Sequence, residues 1–187
     1  AAIESDGRMT REVADSFLTF YADRMRHILS RKGYAYDEIS AVLATDSDSP
    51  TKVLDRVEAL HAVRDSLDFL AIAGAFKRIK NILKKSDEAD MSPAAVQDGS
   101  GMEPEESALA ERIDAIEPQV GLWAQNGEYR QALEAMATLR APVDQFFEKI
   151  LVMHEDPAIR RRRISLLKRL FETFLQIADI SEVVVSS

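Results

Sequence analysis

The chain has 187 residues, 46% of them hydrophobic and 30% charged, with a formal net charge of −8 and no cysteine. That length and apolar content suffice for a real core, in one domain or two small ones. The lack of cysteine excludes disulfides, thiolate metal sites and thiol nucleophiles and fits a reducing cytosol; no run of about 18 apolar residues exists, so no transmembrane helix is expected.

The period is helical almost from the start. Val13, Phe17, Phe20, Tyr21, Met25, Ile28 and Leu29 form one stripe from about Thr10 to Lys32, ended by Gly33. Tyr34 and Tyr36 follow at that helix end and are candidate base-stacking residues. Asp37–Thr45 predicts a short helix with Ile39, Val42 and Leu43 inward. Asp46-Ser47-Asp48-Ser49-Pro50 is a turn, with Ser49 as cap and Pro50 at the first helical position of a third helix carrying Val53, Val57, Leu60 and Val63.

Ser66 caps a fourth helix reaching about Lys85. On it Lys77, Lys80, Asn81 and Lys84 fall on one side, flanked by Arg78 and Lys85, while Phe69, Ile72, Phe76, Ile79 and Leu83 fall on the other. No acidic residue interrupts the run from Asp68 to Ser86. A cationic face with an amide in its middle can hold a polyanion, of which nucleic acid is the commonest. The same cations near a helix C-terminus also favour the macrodipole, by about 0.3–1 kcal/mol each, and a charge run can be no more than a solvated face.

Ser86–Glu106 holds Asp87, Glu88, Asp90, Asp98, Glu103, Glu105 and Glu106 and no base, 7 of the 32 acids, which leaves 25 acids against 24 bases elsewhere. The acidity thus belongs mainly to one segment, and overall charge says little about a local binding face. Lacking apolar period, this stretch reads as a flexible acidic linker at 86–104. Gly99-Ser100-Gly101 is not a nucleotide fingerprint, because no strand precedes it.

Beyond it, Glu105–Asn126 is helical, with a bend expected at Pro118 and Gly127 closing it. Glu128–Leu139 and Pro142–Val152 follow, with a break at Arg140-Ala141. Trp123 lies at helical spacing from Val120 and reads as core. Pro157 opens a last helix reaching about Asp179, and Val183–Val185 could form a short strand. Arg160-Arg161-Arg162-Arg163 spans about 300° of that helix and cannot share one face. Arg160 and Arg163 border the stripe of Ile164, Leu167, Phe171, Phe174 and Ala178 and are expected to pair with acids such as Asp144, Glu148 or Asp156. Arg161, Arg162, Lys168 and Arg169 are expected to point outward. Cations in the first turns oppose the helix dipole, so either neighbouring acids neutralise them or an anion arrives.

No catalytic or metal site is expected. His27, His61 and His154 lie on separate segments, and no HExxH, GxSxG or Walker sequence occurs.

Several separated motifs, in order, resemble the bacterial glycyl-tRNA synthetase β-subunit family. They include Gly33-Tyr34-Ala35-Tyr36-Asp37, Arg56-Val57-Glu58-Ala59-Leu60, Ala75-Phe76-Lys77-Arg78-Ile79-Lys80-Asn81-Ile82-Leu83, Pro142-Val143-Asp144-Gln145-Phe146-Phe147-Glu148-Lys149-Ile150-Leu151 and Ala178-Asp179-Ile180-Ser181. Arg78-Ile79-Lys80-Asn81-Ile82-Leu83-Lys84-Lys85 and Arg163-Ile164-Ser165-Leu166 are similar to the helical anticodon-binding domain of the DALR type, although Arg162 stands where that pattern has Asn. The resemblance implies an all-α bundle of about seven to eight helices. Residues 1–48 would be an N-terminal helical segment, and 49–187 a DALR-like domain interrupted by the linker. It further implies an RNA surface drawn from Lys77, Arg78, Lys80, Asn81, Lys84, Arg161, Arg162, Lys168, Arg169, Tyr34 and Tyr36. The expected partners are glycine tRNA, the synthetase α subunit and the rest of β, in the cytoplasm, with neither membrane nor DNA. This piece of a larger chain would hold no catalytic residue and no cofactor, ATP and glycine being used by the α subunit. The competing reading is a helical assembly module whose basic stripes are only solvated.

Overall fold

Small polar residues and prolines set four of the helix starts, and left-handed glycines set two of the ends. The computed structural model describes residues 2–45, 49–86 and 101–185. Among them are eight α-helices and no strand: α1 (Ala2–Arg31), α2 (Tyr36–Leu43), α3 (Pro50–Val63), α4 (Leu67–Lys85), α5 (Pro104–Asn126), α6 (Tyr129–Ala137), α7 (Arg140–Lys149) and α8 (Pro157–Leu175), then a 3-10 turn at Ile180–Glu182. The Ser66 hydroxyl accepts from the Phe69 N–H, and the Asp156 carboxylate accepts from the Ala158 and Ile159 N–H groups, satisfying donors that the first helical turn leaves open. Gly33 (φ 98°) and Gly127 (φ 78°) hold the left-handed conformation that ends α1 and α5.

One apolar core runs from the end of α1 to the last turn. It joins Met25, Leu29, Ile39 and Val42 to Leu60, Phe69, Phe76, Leu109, Val120, Leu133, Phe146, Leu167 and Phe174. Residues of α2, grouped with the N-terminal segment by the sequence reading, therefore sit in the same core as α4 and α8. Helix α4 lies against α6, α7, α8 and the 3-10 turn. Its Phe76 ring is fully buried, 4.1 Å from Phe174 and stacked 5.8 Å from the partly buried Phe171. Trp123 packs half-buried on this core.

Several expectations need correction. Val13, Phe17 and Phe20 are exposed, and only Met25 and Leu29 of the α1 stripe are buried. The periodicity identified the apolar face, but α2 covers only the end of it. The break before α7 falls at Thr138–Leu139, where the Thr138 hydroxyl donates to the Ala135 carbonyl, and Arg140 opens the helix. Helix α5 keeps the expected span, with Pro118 inside it and Gly127 at its end. Helix α7 stops at Lys149 and α8 at Leu175, both short of the expected ends. Val183 forms no strand; it is a fully buried plug behind the 3-10 turn. Most of the expected linker, residues 87–100, lies outside the described residues, as do Asp46, Ser47 and Asp48. Its far end is built into the fold: Glu103 caps α5, Pro104 is the first helical residue, and Glu106 is fully buried.

Candidate nucleic-acid interface

The outer face of α4 follows from its phasing. Phe69, Ile72, Phe76 and Ile79 go inward, so Lys77, Arg78, Asn81, Lys84 and Lys85 are left exposed. Among the described residues Lys77, Lys84 and Lys85 have no ion-pair partner. Arg78 lies over the Phe147 ring of α7, its guanidinium carbon 4.2 Å from the centroid. Such a cation–π contact holds the guanidinium flat while leaving its charge at the surface. Between α4 and the loop after α7 is an open cavity of about 490 Å³ lined by Arg78, Asn81, Ile82, Lys85 and Met153. Two cations and an amide rim an apolar floor. That combination suits a nucleotide: cations meet phosphate, the amide can meet a base edge or sugar hydroxyl, and the floor takes a ring face. The loop is folded on itself, with the His154 N–H donating to the Val152 carbonyl at 2.9 Å and the Asp156 N–H to His154 Nδ1 at 3.0 Å.

Lys80 departs from the expected free stripe. Its ammonium donates at 2.7 Å to both Asp179 Oδ2 and Glu182 Oε1, and its side chain is 24% exposed. Burial pushes this ammonium down, but the two carboxylate hydrogen bonds outweigh burial and raise it above the ordinary lysine value. Lys80 thus ties α4 to the turn that ends the described chain. That turn is also fastened to α2, where the Asp179 N–H donates to the Ala41 carbonyl at 2.8 Å and the Val184 N–H to Asp37 Oδ2 at 2.8 Å.

The α8 arginines are corrected more strongly. Arg162 and Arg163 both clasp the buried Glu106 of α5, rather than reaching solvent or the acids of α7. Arg162 Nε donates to Glu106 Oε1 at 3.0 Å, and Arg163 Nε to Glu106 Oε2 at 2.9 Å. Arg162 also donates to the Gly101 carbonyl at 3.1 Å, and Arg163 to the Leu151 carbonyl at 2.9 Å. Burial pushes the Glu106 carboxyl up; the hydrogen bonds from Arg162 and Arg163 and their charges more than offset this and hold it below the ordinary glutamate value. Arg169 pairs with Asp114 and Glu117, and Lys168 reaches Glu172 loosely at 3.7 Å. Arg161 is half-buried near Asp156, and Arg160 donates to the His154 carbonyl at 3.4 Å. Of the two alternatives for this run, neutralisation by neighbouring acids accounts for Arg162, Arg163 and Arg169. A signal was present: Arg162 and Arg169 are seven apart, and Glu106, Asp114 and Glu117 fall on one face of α5.

The tyrosines lie elsewhere. The Tyr34 hydroxyl donates to Glu58 Oε1 at 3.2 Å and its ring meets His61 edge-on at 5.5 Å, while Tyr36 is exposed at the start of α2. Neither lines the α4 cavity. The structure therefore brings Arg78 and Asn81 to one cavity, sets Lys77 and Lys84 on the same helix, and leaves Tyr34, Tyr36 and the α8 cations apart. Met153 and Phe147 belong to the site and were not singled out, because their proximity is tertiary; Lys85, named in the sequence only as a flank of the α4 stripe, lines the cavity with them. No group of three or more metal-binding side chains occurs among the described residues, and none of the described helices is long and apolar enough to cross a membrane.

The described residues thus form an all-helical bundle with an exposed cationic helix and an amide-bearing cavity beside it. The chain belongs to the DALR anticodon binding domain family, whose profile matches residues 72–183, from the second turn of α4 through the turn that engages Lys80. It is similar to the glycine–tRNA ligase beta subunit of Acidobacterium capsulatum, with 44% identity over 174 residues. That alignment covers 90% of this chain and 24% of the relative. The beta subunits of Actinobacillus pleuropneumoniae and Citrobacter koseri are 38% and 39% identical over 183 residues, covering 97% of this chain and 26% of each relative. The chain thus spans about a quarter of the length of the curated relatives it matches.

Proposed function

We propose that this chain is the tRNA-binding module of a glycine–tRNA ligase beta subunit and that it receives the anticodon arm of glycine tRNA on the outer face of α4. The observation that carries the reading is the exposed run of Lys77, Arg78, Asn81, Lys84 and Lys85 around the Met153-floored cavity, within the span matched by the anticodon-binding family. Lys77, Lys84 and Lys85 would contact phosphates. Arg78, held by Phe147, would contact phosphate or stack on a base, and Asn81 would meet a base edge or sugar hydroxyl. Arg161 and Lys168 are peripheral contacts at most in this reading. Lys80, Arg162 and Arg169 shape the surface through their ion pairs. The module would position the tRNA for aminoacylation by the alpha subunit in the cytoplasm. Adenylate chemistry with ATP and glycine would take place there, and this part of the chain would contribute neither catalytic residue nor cofactor.

Binding of glycine tRNA over a salt series tests this. Replacing Lys77 and Lys84 by Ala should weaken binding and reduce the log–log salt slope by about 0.7–0.9 per lost phosphate contact. Asn81→Ala should change discrimination between anticodons and leave the slope alone. Unchanged affinity and slope in the double variant would remove α4 as the RNA face. One observation favours a second reading, a helical assembly module: Val13, Phe17, Leu18 and Phe20 stand exposed on α1. Under that reading RNA affinity is absent at every salt concentration.

A further inference from the structure

Two carboxylates meet one ammonium in the middle of the α4 stripe, and they are not equivalent. Asp179 is part of the framework. Its side chain is 7% exposed, its Oδ1 accepts from the Ser181 N–H and hydroxyl, its backbone is bonded to α2, and its charge alone balances Lys80. Glu182 is different: its side chain is 43% exposed, and its one ion pair among the described residues is with Lys80. The fold does not need this second charge, because Ile180 and Val183 on either side anchor the turn as fully buried side chains. With Glu182 in place, the Lys80 cluster carries a net negative charge between exposed cations at Lys77 and Lys84. A phosphate near Lys80 is repelled unless it displaces the Glu182 carboxylate. The long, half-exposed glutamate can swing away; the buried aspartate cannot.

We propose that Glu182 is a selectivity residue of this face: its carboxylate withholds Lys80 from loosely fitting polyanions and yields only to a phosphate that a folded RNA arm presses onto the α4 stripe. The proposal rests on α4 being the RNA face. An unstructured RNA touches the exposed lysines and gains nothing at Lys80. An arm seated along the helix places a phosphate close enough to exchange with the carboxylate, and so counts one contact more.

The test compares glycine tRNA with a uridine oligomer of equal length, bound to this chain over a salt series, for the unaltered protein, Glu182→Gln and Glu182→Ala. Gln keeps the shape and an acceptor for Lys80, and thermal melting confirms that both variants fold. The oligomer should bind about three- to tenfold more tightly to either variant, with a slope steeper by about 0.7. Glycine tRNA should keep its slope, so preference for the folded RNA falls. Unchanged oligomer binding, or slopes that steepen equally for both RNAs, would overturn the selectivity role. Lys77→Ala/Lys84→Ala serves as the separate check on the face itself. If it lowers both slopes while the Glu182 variants change nothing, only the selectivity proposal fails; if it changes nothing, the α4 reading fails and the proposal with it.

Discussion

Glu106 and Phe76 show how single side chains fix the positions of the helices that carry the cationic surface. Glu106 is fully buried and shared by two arginines. Removing its charge leaves two guanidinium groups facing an apolar interior, so Glu106→Gln should destabilise the protein by about 3–5 kcal/mol, the cost of breaking a buried ion pair from one side. Chemical denaturation measures this; a loss under 1 kcal/mol would show that water reaches the cluster. Phe76→Ala should cost about 3–5 kcal/mol, because the ring fills the space between Phe171 and Phe174 and neither can close the void alone. The role of Phe76 was legible in the sequence, since its position in the apolar stripe of α4 decides its burial. The role of Glu106 was not. It lies at the end of an acidic run, and nothing local distinguishes it from Glu105, which stays partly exposed.

Among the elements, α4 was the most readable and α8 the least. The apolar stripe of α4 and its outward Lys77 and Lys84 are consequences of a 3.6-residue period, and its start follows from the Ser66 cap. The arginines of α8 depend instead on partners 52 to 57 positions away on α5, and Lys80 on one 99 positions away. Period alone carries no information about such distances. The same pairings set the acid behaviour. Glu106 on α5 faces Arg162 and Arg163 of α8, and Asp37 and Glu38 on α2 face Arg64 at the end of α3. Burial opposes their ionisation, yet hydrogen bonds and charge from the arginines, joined at Asp37 and Glu38 by backbone N–H groups, leave all three carboxyls below their ordinary values of 3.8 for Asp and 4.5 for Glu. A carboxyl with a lowered folded value contributes stability that is complete above its unfolded value and lost as pH falls through the folded one. The melting temperature should therefore stay level from neutral pH to about 5 and drop below it. Glu106→Gln, less stable throughout, should lose part of that drop. A melting temperature that already falls between pH 7 and 6 would overturn this account, because none of these three carboxyls takes up a proton in that range.

Across the whole molecule, the described chain on either side of residues 87–100 is fastened independently. At residue 86, the Ser86 hydroxyl donates to the Ile82 carbonyl at 2.8 Å; at residue 101, Arg162 holds the Gly101 carbonyl. The halves meet through the core, α3 on α6 and α4 on α7 and α8, with no covalent continuity needed for those contacts. In topological terms the protein is close to a heterodimer whose two chains happen to be joined. Residues 1–86 and 101–187, produced as separate polypeptides, should reassemble one to one, and a tag on either should retain the other through gel filtration. Joining them mainly raises the local concentration of each half for the other, an advantage that declines only slowly with spacer length, at about 0.6 kcal/mol for each doubling. A reporter inserted between residues 86 and 101 should therefore leave the α4 surface and its Glu182 guard in place.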